Sequence, residues 1–143
     1  MSARFQYQVV LVTGATAGIG YAAALAFARE GANLVVSGRN VDAGSQLVSE
    51  LKALGAQAEF MRAEVSDESQ VAALVDFCVS RFGRLDVAVN SAGLEGQGGS
   101  IMEQTVDSYT ATFNANALGT FLCLKHEMRV MSAQKSGTIV NLS

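Results

Sequence analysis

The segment "VVLVTGATAGIGYAAALAFARE", from Val9 to Glu30, constrains the fold more than any other part of the chain. An apolar run of strand length is followed at once by a glycine-bearing loop, and the loop opens into an alanine-rich helix. A turn between two such elements needs only one or two flexible residues. Here Gly14, Gly18 and Gly20 share the loop with Thr13 and Thr16. The surplus implies that something approaches the backbone closely at this point.

The same alternation continues along the chain. "QVVLV" and "NLVVS" read as strands, with a helix from Ile19 to Glu30 between them. Val41, Leu47, Val48, Leu51 and Leu54 recur at three- and four-residue steps, one face of a helix that ends at Gly55. "AQAEFMRAEV" holds a third strand. Ser66 or Asp67 is placed to cap the next helix, with Gln70 positioned to close a capping box. That helix has an apolar stripe of Val71, Leu74, Val75, Cys78, Val79 and Phe82. "RLDVAVN" is a fourth strand, "GLEGQGGS" a loop, and one long helix is predicted from about Val106 to Ser132 before a fifth strand in "GTIVNLS".

Short strands separated by helices are βαβ units, which give a parallel sheet covered on both faces. The fold class is therefore α/β, a doubly wound parallel sheet. Right-handed crossovers put the first three strands in the order 3-2-1, and the fourth and fifth extend the sheet beyond strand 1. With 143 residues, half of them apolar, the chain has room for a single domain, residues 1–143, and a sizeable core. No repeat, linker or low-complexity tract interrupts it.

Composition narrows the function. A net charge of −3 argues against nucleic acid or an anionic membrane as the main partner. No apolar run reaches the roughly 20 residues that span a bilayer, and the N-terminus lacks a signal peptide's pattern, so the expected location is cytoplasmic. Cys78 and Cys123 both fall in apolar helical patterns and read as buried hydrophobes. With His126 as the only histidine, no tetrahedral metal site is expected.

In an open parallel sheet the ligand crevice lies beyond the carboxyl ends of the strands, where strand order reverses. That point is between strands 1 and 4, so Gly14, Gly18 and Gly20 should face Asn90 to Gly93. A helix starting near Ile19 aims unpaired N–H groups and a partial positive charge at the loop, suited to a pyrophosphate. Gly14 permits the sharp exit from the strand, Gly18 keeps a Cβ out of the way, and Gly20 is expected to let the helix pack on the sheet. Thr13 and Thr16 offer hydroxyls.

Four motifs resemble the short-chain dehydrogenase/reductase family. "TGATAGIG" is similar to its Thr-Gly-x-x-x-Gly-x-Gly signature, "NSAG" (90–93) to its Asn-Asn-Ala-Gly, and "NALG" (116–119) to its Asn-Val-x-Gly. "GTIVNLS" is similar to the strand that leads to the family's catalytic serine. The resemblance covers the whole chain and implies a Rossmann-type sheet of order 3-2-1-4-5 from which the C-terminal strands are missing.

By that resemblance Gly14, Thr16, Gly18, Ile19 and Gly20 hold a cofactor's pyrophosphate and adjoining ribose. Glu64 and Val65 stand where the family has an Asp-Val pair against the adenine. Asn90 steadies the central strands, and the backbone of Ser91, Ala92 and Gly93 lines the ribose side. Cofactor choice is read at the end of strand 2. An acidic residue there would bind the ribose 2′-OH of NAD, but the chain has Gly38 and then Arg39. That exchange favours a 2′-phosphate and hence NADP over NAD. Ala17 lacks the basic residue some NADPH-specific relatives carry.

The family's chemistry implies a Tyr-x-x-x-Lys pair, a serine that polarises a carbonyl, and an asparagine in a water-linked proton relay. Only the asparagine is matched, by Asn116, with Asn114 the second candidate. Tyr7, Tyr21 and Tyr109 are followed four residues later by Leu11, Leu25 and Phe113. Ser143 corresponds to the first of two serines, of which the second is usually catalytic. The resemblance thus implies the N-terminal, cofactor-binding portion of a longer NAD(P)-dependent oxidoreductase acting on a secondary alcohol or ketone. The portion alone is expected to be inactive, and the full protein is expected to be a homo-oligomer, dimer or tetramer. The alternative is a non-catalytic dinucleotide-binding or scaffold module. It would need a polar face where "LGTFLCLKHEMRVM" instead carries Leu118, Phe121, Leu122 and Met128. A phosphate-hydrolysing reading lacks a P-loop lysine.

Overall fold

The computed structural model describes residues 3–143. Along the chain run β1 (Val9–Thr13), α1 (Gly18–Arg29), β2 (Asn33–Gly38), α2 (Val41–Ala53), β3 (Ala58–Arg62) and α3 (Glu68–Phe82). They are followed by β4 (Val87–Asn90), α4 (Val106–Phe113), α5 (Gly119–Gln134) and β5 (Thr138–Asn141). The five strands are parallel, in the order β3-β2-β1-β4-β5. The doubly wound sheet expected from the strand–helix alternation is therefore what the chain forms.

The apolar run of β1 reflects burial on both faces. Val10 and Val12 pack with Leu34 and Val36 against Ala24 and Ala28 of α1 and Leu47 and Leu51 of α2. Val9 and Leu11 pack on the opposite side with Leu74, Val75 and Cys78 of α3 and Met131 of α5. Successive strand side chains alternate between faces, so a strand sandwiched by helices has no polar position to spare. Each such side chain taken from water contributes about 1.5–3 kcal/mol.

Helix stripes follow the same logic with two departures at the ends. Leu47 and Leu51 are buried, whereas Val41 and Leu54, at the ends of the α2 pattern, are exposed. Val79 and Phe82 at the end of α3 are only partly covered. Asp67 is the N-cap of α3 and accepts from the Gln70 N–H at 3.2 Å. The box does not close as expected: Gln70 Oε1 accepts from the Glu64 N–H at 2.8 Å, while the Asp67 N–H donates to the Glu64 carbonyl. Gln70 thus pins the chain just past β3.

The long helix expected from about Val106 to Ser132 forms as continuous helical backbone, with a π-helical turn, Asn114–Leu118, inserted between α4 and α5. Such turns are rare within α-helices and frequent at functional sites. This one carries Asn116, described below. Among the described residues, no helix is long and apolar enough to cross a membrane.

Candidate functional site

The carboxyl ends of β1 and β4 meet at the reversal of strand order. Gly14 has φ +61°, and a Cβ there would lie 2.6 Å from the Ala92 nitrogen and 2.7 Å from the Ala92 Cα. The two segments expected to face each other are therefore in contact, and only glycine fits that contact. Gly18 has φ +58° with open space where a Cβ would project. Gly20 departs from expectation in what it serves. A Cβ there would collide with the Gly14 carbonyl and lie 3.1 Å from Ser91 Oγ, so Gly20 seats the first turn of α1 on the loop rather than on the sheet.

Above this junction opens a cleft of about 1220 Å³. Its floor is the glycine loop, including Thr16 and Ile19, and one wall is Ser91 to Gly93. Ala17, the N-cap of α1, supplies no side-chain hydrogen bond to the helix's first N–H groups. The N-terminal partial positive charge therefore faces the cleft without a capping side chain. Ile19 is exposed. The Thr13 hydroxyl is buried and has no hydrogen-bond partner among the described residues.

At the outer end Thr16 packs on the end of β2. A Cβ at Gly38 would lie 3.0 Å from Thr16 Cγ2 and 3.1 Å from its Oγ1, so a side chain at 38 would force Thr16 to shift. Arg39 stands beside it with Nη1 4.0 Å from Glu64 Oε2. Ser66 Oγ donates to Glu64 Oε1 at 3.4 Å. Val65 is buried against the cleft side of α5, where its Cγ2 occupies space that any side chain at Gly119 would need.

On the inner side, Asn116 clamps the loop after β4. Its Oδ1 accepts from the Leu94 N–H and its Nδ2 donates to the Leu94 carbonyl, each at 2.7 Å. Both ends of the amide are thus occupied. A Cβ at Gly93 would lie 2.7 Å from Asn116 Oδ1, which explains the glycine. Asn114 lines the same cleft. Below, Asn90 is buried and donates through Nδ2 to Glu127 Oε1 at 2.7 Å and to Asn141 Oδ1 at 3.0 Å. Burial pushes the Glu127 carboxyl up to about 7, opposed by the Asn90 hydrogen bond.

The comparisons with known proteins agree with this geometry. The family model for short chain dehydrogenases matches residues 8–143. The chain belongs to the short-chain dehydrogenase family. A 3beta-hydroxysteroid dehydrogenase of Mediterraneibacter gnavus is 39% identical over 140 residues, which are 98% of this chain and 50% of that one. A cyclohexanol dehydrogenase of an Acinetobacter species is 36% identical over 141 residues, 99% of this chain and 56% of that one. The crystal structure of an NAD+-bound xylitol dehydrogenase superposes with a TM-score of 0.93 at 33% identity, covering 96% of this chain and 53% of that one. The chain spans about half the length of the curated relatives it matches.

In this member of the short-chain dehydrogenase family Glu95 also lines the cleft, while several other titratable groups pair elsewhere. The Tyr21 hydroxyl donates to Glu50, a bond that holds it above its ordinary value, and Tyr109 stacks on Phe113. His126 Nε2 and Lys125 Nζ both meet Glu68, at 2.9 and 2.7 Å, and their hydrogen bonds hold that carboxyl below its usual range. Cys78 and Cys123 are buried free thiols, pushed by burial up to about 12. Sequence reasoning missed Leu94 and Glu127, and gave Gln70 a different partner. For Glu127 a signal exists: Gly119, Cys123, Glu127 and Met131 form a four-residue row of buried positions on α5.

Proposed function

We propose that the cleft holds a nicotinamide dinucleotide and that the protein to which this chain belongs is an NAD(P)-dependent oxidoreductase. Its substrate class is a secondary alcohol or the corresponding ketone, as the names of the relatives suggest. The observation that carries the reading is the junction of Gly14 with Ala92 beneath the open cleft, at the uncapped start of α1. The cradle fits the group. It combines a positive helix end, open space at Gly18 and an unpaired Thr13 hydroxyl. A bound nicotinamide supplies or accepts the hydride exchanged with the carbonyl carbon.

In this reading the N–H groups around Gly14, Gly18, Ile19 and Gly20 bind the pyrophosphate, with Thr16 beside them. Ser91, Ala92 and Gly93 line the ribose wall, Glu64 and Val65 the adenine end, and Asn90 steadies the strands beneath. Arg39 receives a 2′-phosphate, which favours NADP over NAD, and Gly38 leaves room for Thr16 where an acidic residue would crowd it. Asn116 takes part in a water-linked proton relay, with its side chain held by Leu94 and its main-chain carbonyl accepting from the Thr120 hydroxyl.

Residues 1–143 act as one cofactor-binding unit that is inactive by itself, since no tyrosine in it is followed four residues later by lysine. The exposed Val106, Tyr109, Phe113 and Phe121 support a larger fold or a homo-oligomer over a self-contained scaffold module. Fluorescence titration with NADPH and NADH tests the assignment. Binding of at least one is expected, and a chain that binds neither overturns it.

A further inference from the structure

Glu127 is the only carboxylic residue in the core among the described residues, with 0% of its surface exposed. An aliphatic side chain of similar volume would ordinarily cost less there. Among the described residues no ion pair offsets its burial. α3 presents the Cys78 thiol to it, α5 itself the Cys123 thiol, and β4 the uncharged Asn90. The basic residues on the same helix pair elsewhere, Lys125 and His126 with Glu68 and Arg129 with Asp76.

What Glu127 does engage is Asn90. One Asn90 Nδ2 hydrogen goes to Glu127 Oε1 and the other to Asn141 Oδ1, so the amide is fixed by α5 and β5 at once. Asn90 ends β4 in register with Thr13 of β1 and Asn141 of β5. Its carbonyl accepts from the Leu142 N–H at 3.1 Å. The residues that follow the two strands, Ser91 to Gly93 and Leu142 to Ser143, line the cleft.

We propose that Glu127 is a positioning residue: its buried carboxyl fixes the Asn90 amide, and Asn90 in turn sets the spacing of the β4 and β5 ends that flank the cleft. Glutamine preserves this bond with an uncharged group of the same shape, whereas leucine removes it. The bond to Asn90 itself favours the ionised carboxyl, but burial without a cation disfavours it more, so ionisation should open the surrounding packing and expose the contact to water.

The test compares the full chain with E127Q and E127L by amide hydrogen exchange at Asn90 to Gly93 and Leu142, and by NADPH affinity, at pH 6 and pH 8.5. Only the affinity readout rests on the dinucleotide reading. E127L is expected to speed exchange at these amides about tenfold and to weaken NADPH by a similar factor. E127Q should differ from the wild type less at pH 6 than at pH 8.5, where it should exchange more slowly. Should E127L fail to fold, the E127Q pH comparison decides alone. A folded E127L with unchanged exchange, or an E127Q that tracks the wild type at both pH values, overturns the proposal. Exchange that responds as expected in a chain that binds no NADPH supports the positioning role and refutes the dinucleotide reading.

Discussion

Arg39 and Glu64 face each other across the outer end of the cleft, Nη1 4.0 Å from Oε2, with side chains 59% and 34% exposed. A pair this open is worth about 0–1 kcal/mol. It is therefore too weak to hold Arg39 against a doubly charged phosphate, whose charge-assisted bonds contribute more. Arg39→Ala is expected to weaken NADPH about tenfold and leave NADH nearly unchanged. Fluorescence titration with both cofactors checks this, and an equal loss for both removes Arg39 from the 2′-phosphate.

Glu64→Gln probes the other half of the pair. Removing the carboxylate should tighten NADPH by roughly two- to fivefold at low ionic strength. The gain should fade near 1 M salt, where the screening length is about 3 Å. The measurement is the NADPH dissociation constant over a salt series.

Gly14 and Gly18 share a positive φ but not their surroundings. Gly18→Ala places its methyl in open space and costs only backbone strain, roughly 1–2 kcal/mol. Gly14→Ala adds a collision with the Ala92 backbone and should cost several kcal/mol or part the two segments. Urea unfolding of both variants should therefore rank Gly14→Ala well below Gly18→Ala.

The raised value of about 7 for Glu127 sets a pH dependence. Its neutral form is favoured in the folded chain, so its contribution is fully present below about 4.5, the ordinary carboxylate value. That contribution is lost as pH rises through about 7. The total is about 3 kcal/mol. Relative to Glu127→Gln, the wild type should lose stability steadily between pH 5 and pH 8 in parallel urea titrations. A constant difference across that range contradicts the assignment.

Cys78 and Cys123, 0% and 2% exposed with thiols pushed up to about 12, should resist a thiol-specific reagent at pH 8. Both should react promptly in denaturing urea. Fast labelling of the folded chain would show that the α3–α5 packing opens.

Much of this was legible from the residues alone, and the parts that were not share a cause. β1, the glycine loop and α1 announce themselves because burial on two faces and close backbone approach each leave a local signature. The π turn does not: the residue it carries, Asn116, bonds to Leu94, 22 residues away, and no local pattern marks that pairing. Gly38 reads as a lost acid, yet its neighbour Thr16 is visible only once β2 and the loop are side by side. Glu127 looks like a solvated helix position, although its four-residue spacing from Cys123 and Met131 places it on the inner face.

The central claim is that the β1–α1 loop and the Ser91–Gly93 segment bind one dinucleotide between them. Backbone amide NMR of the chain titrated with NADPH measures this directly. Saturable shifts concentrated at residues 14–20 and 91–93, with smaller ones at Arg39 and Val65, are the predicted result. Shifts centred elsewhere, or none at these two segments, would contradict it.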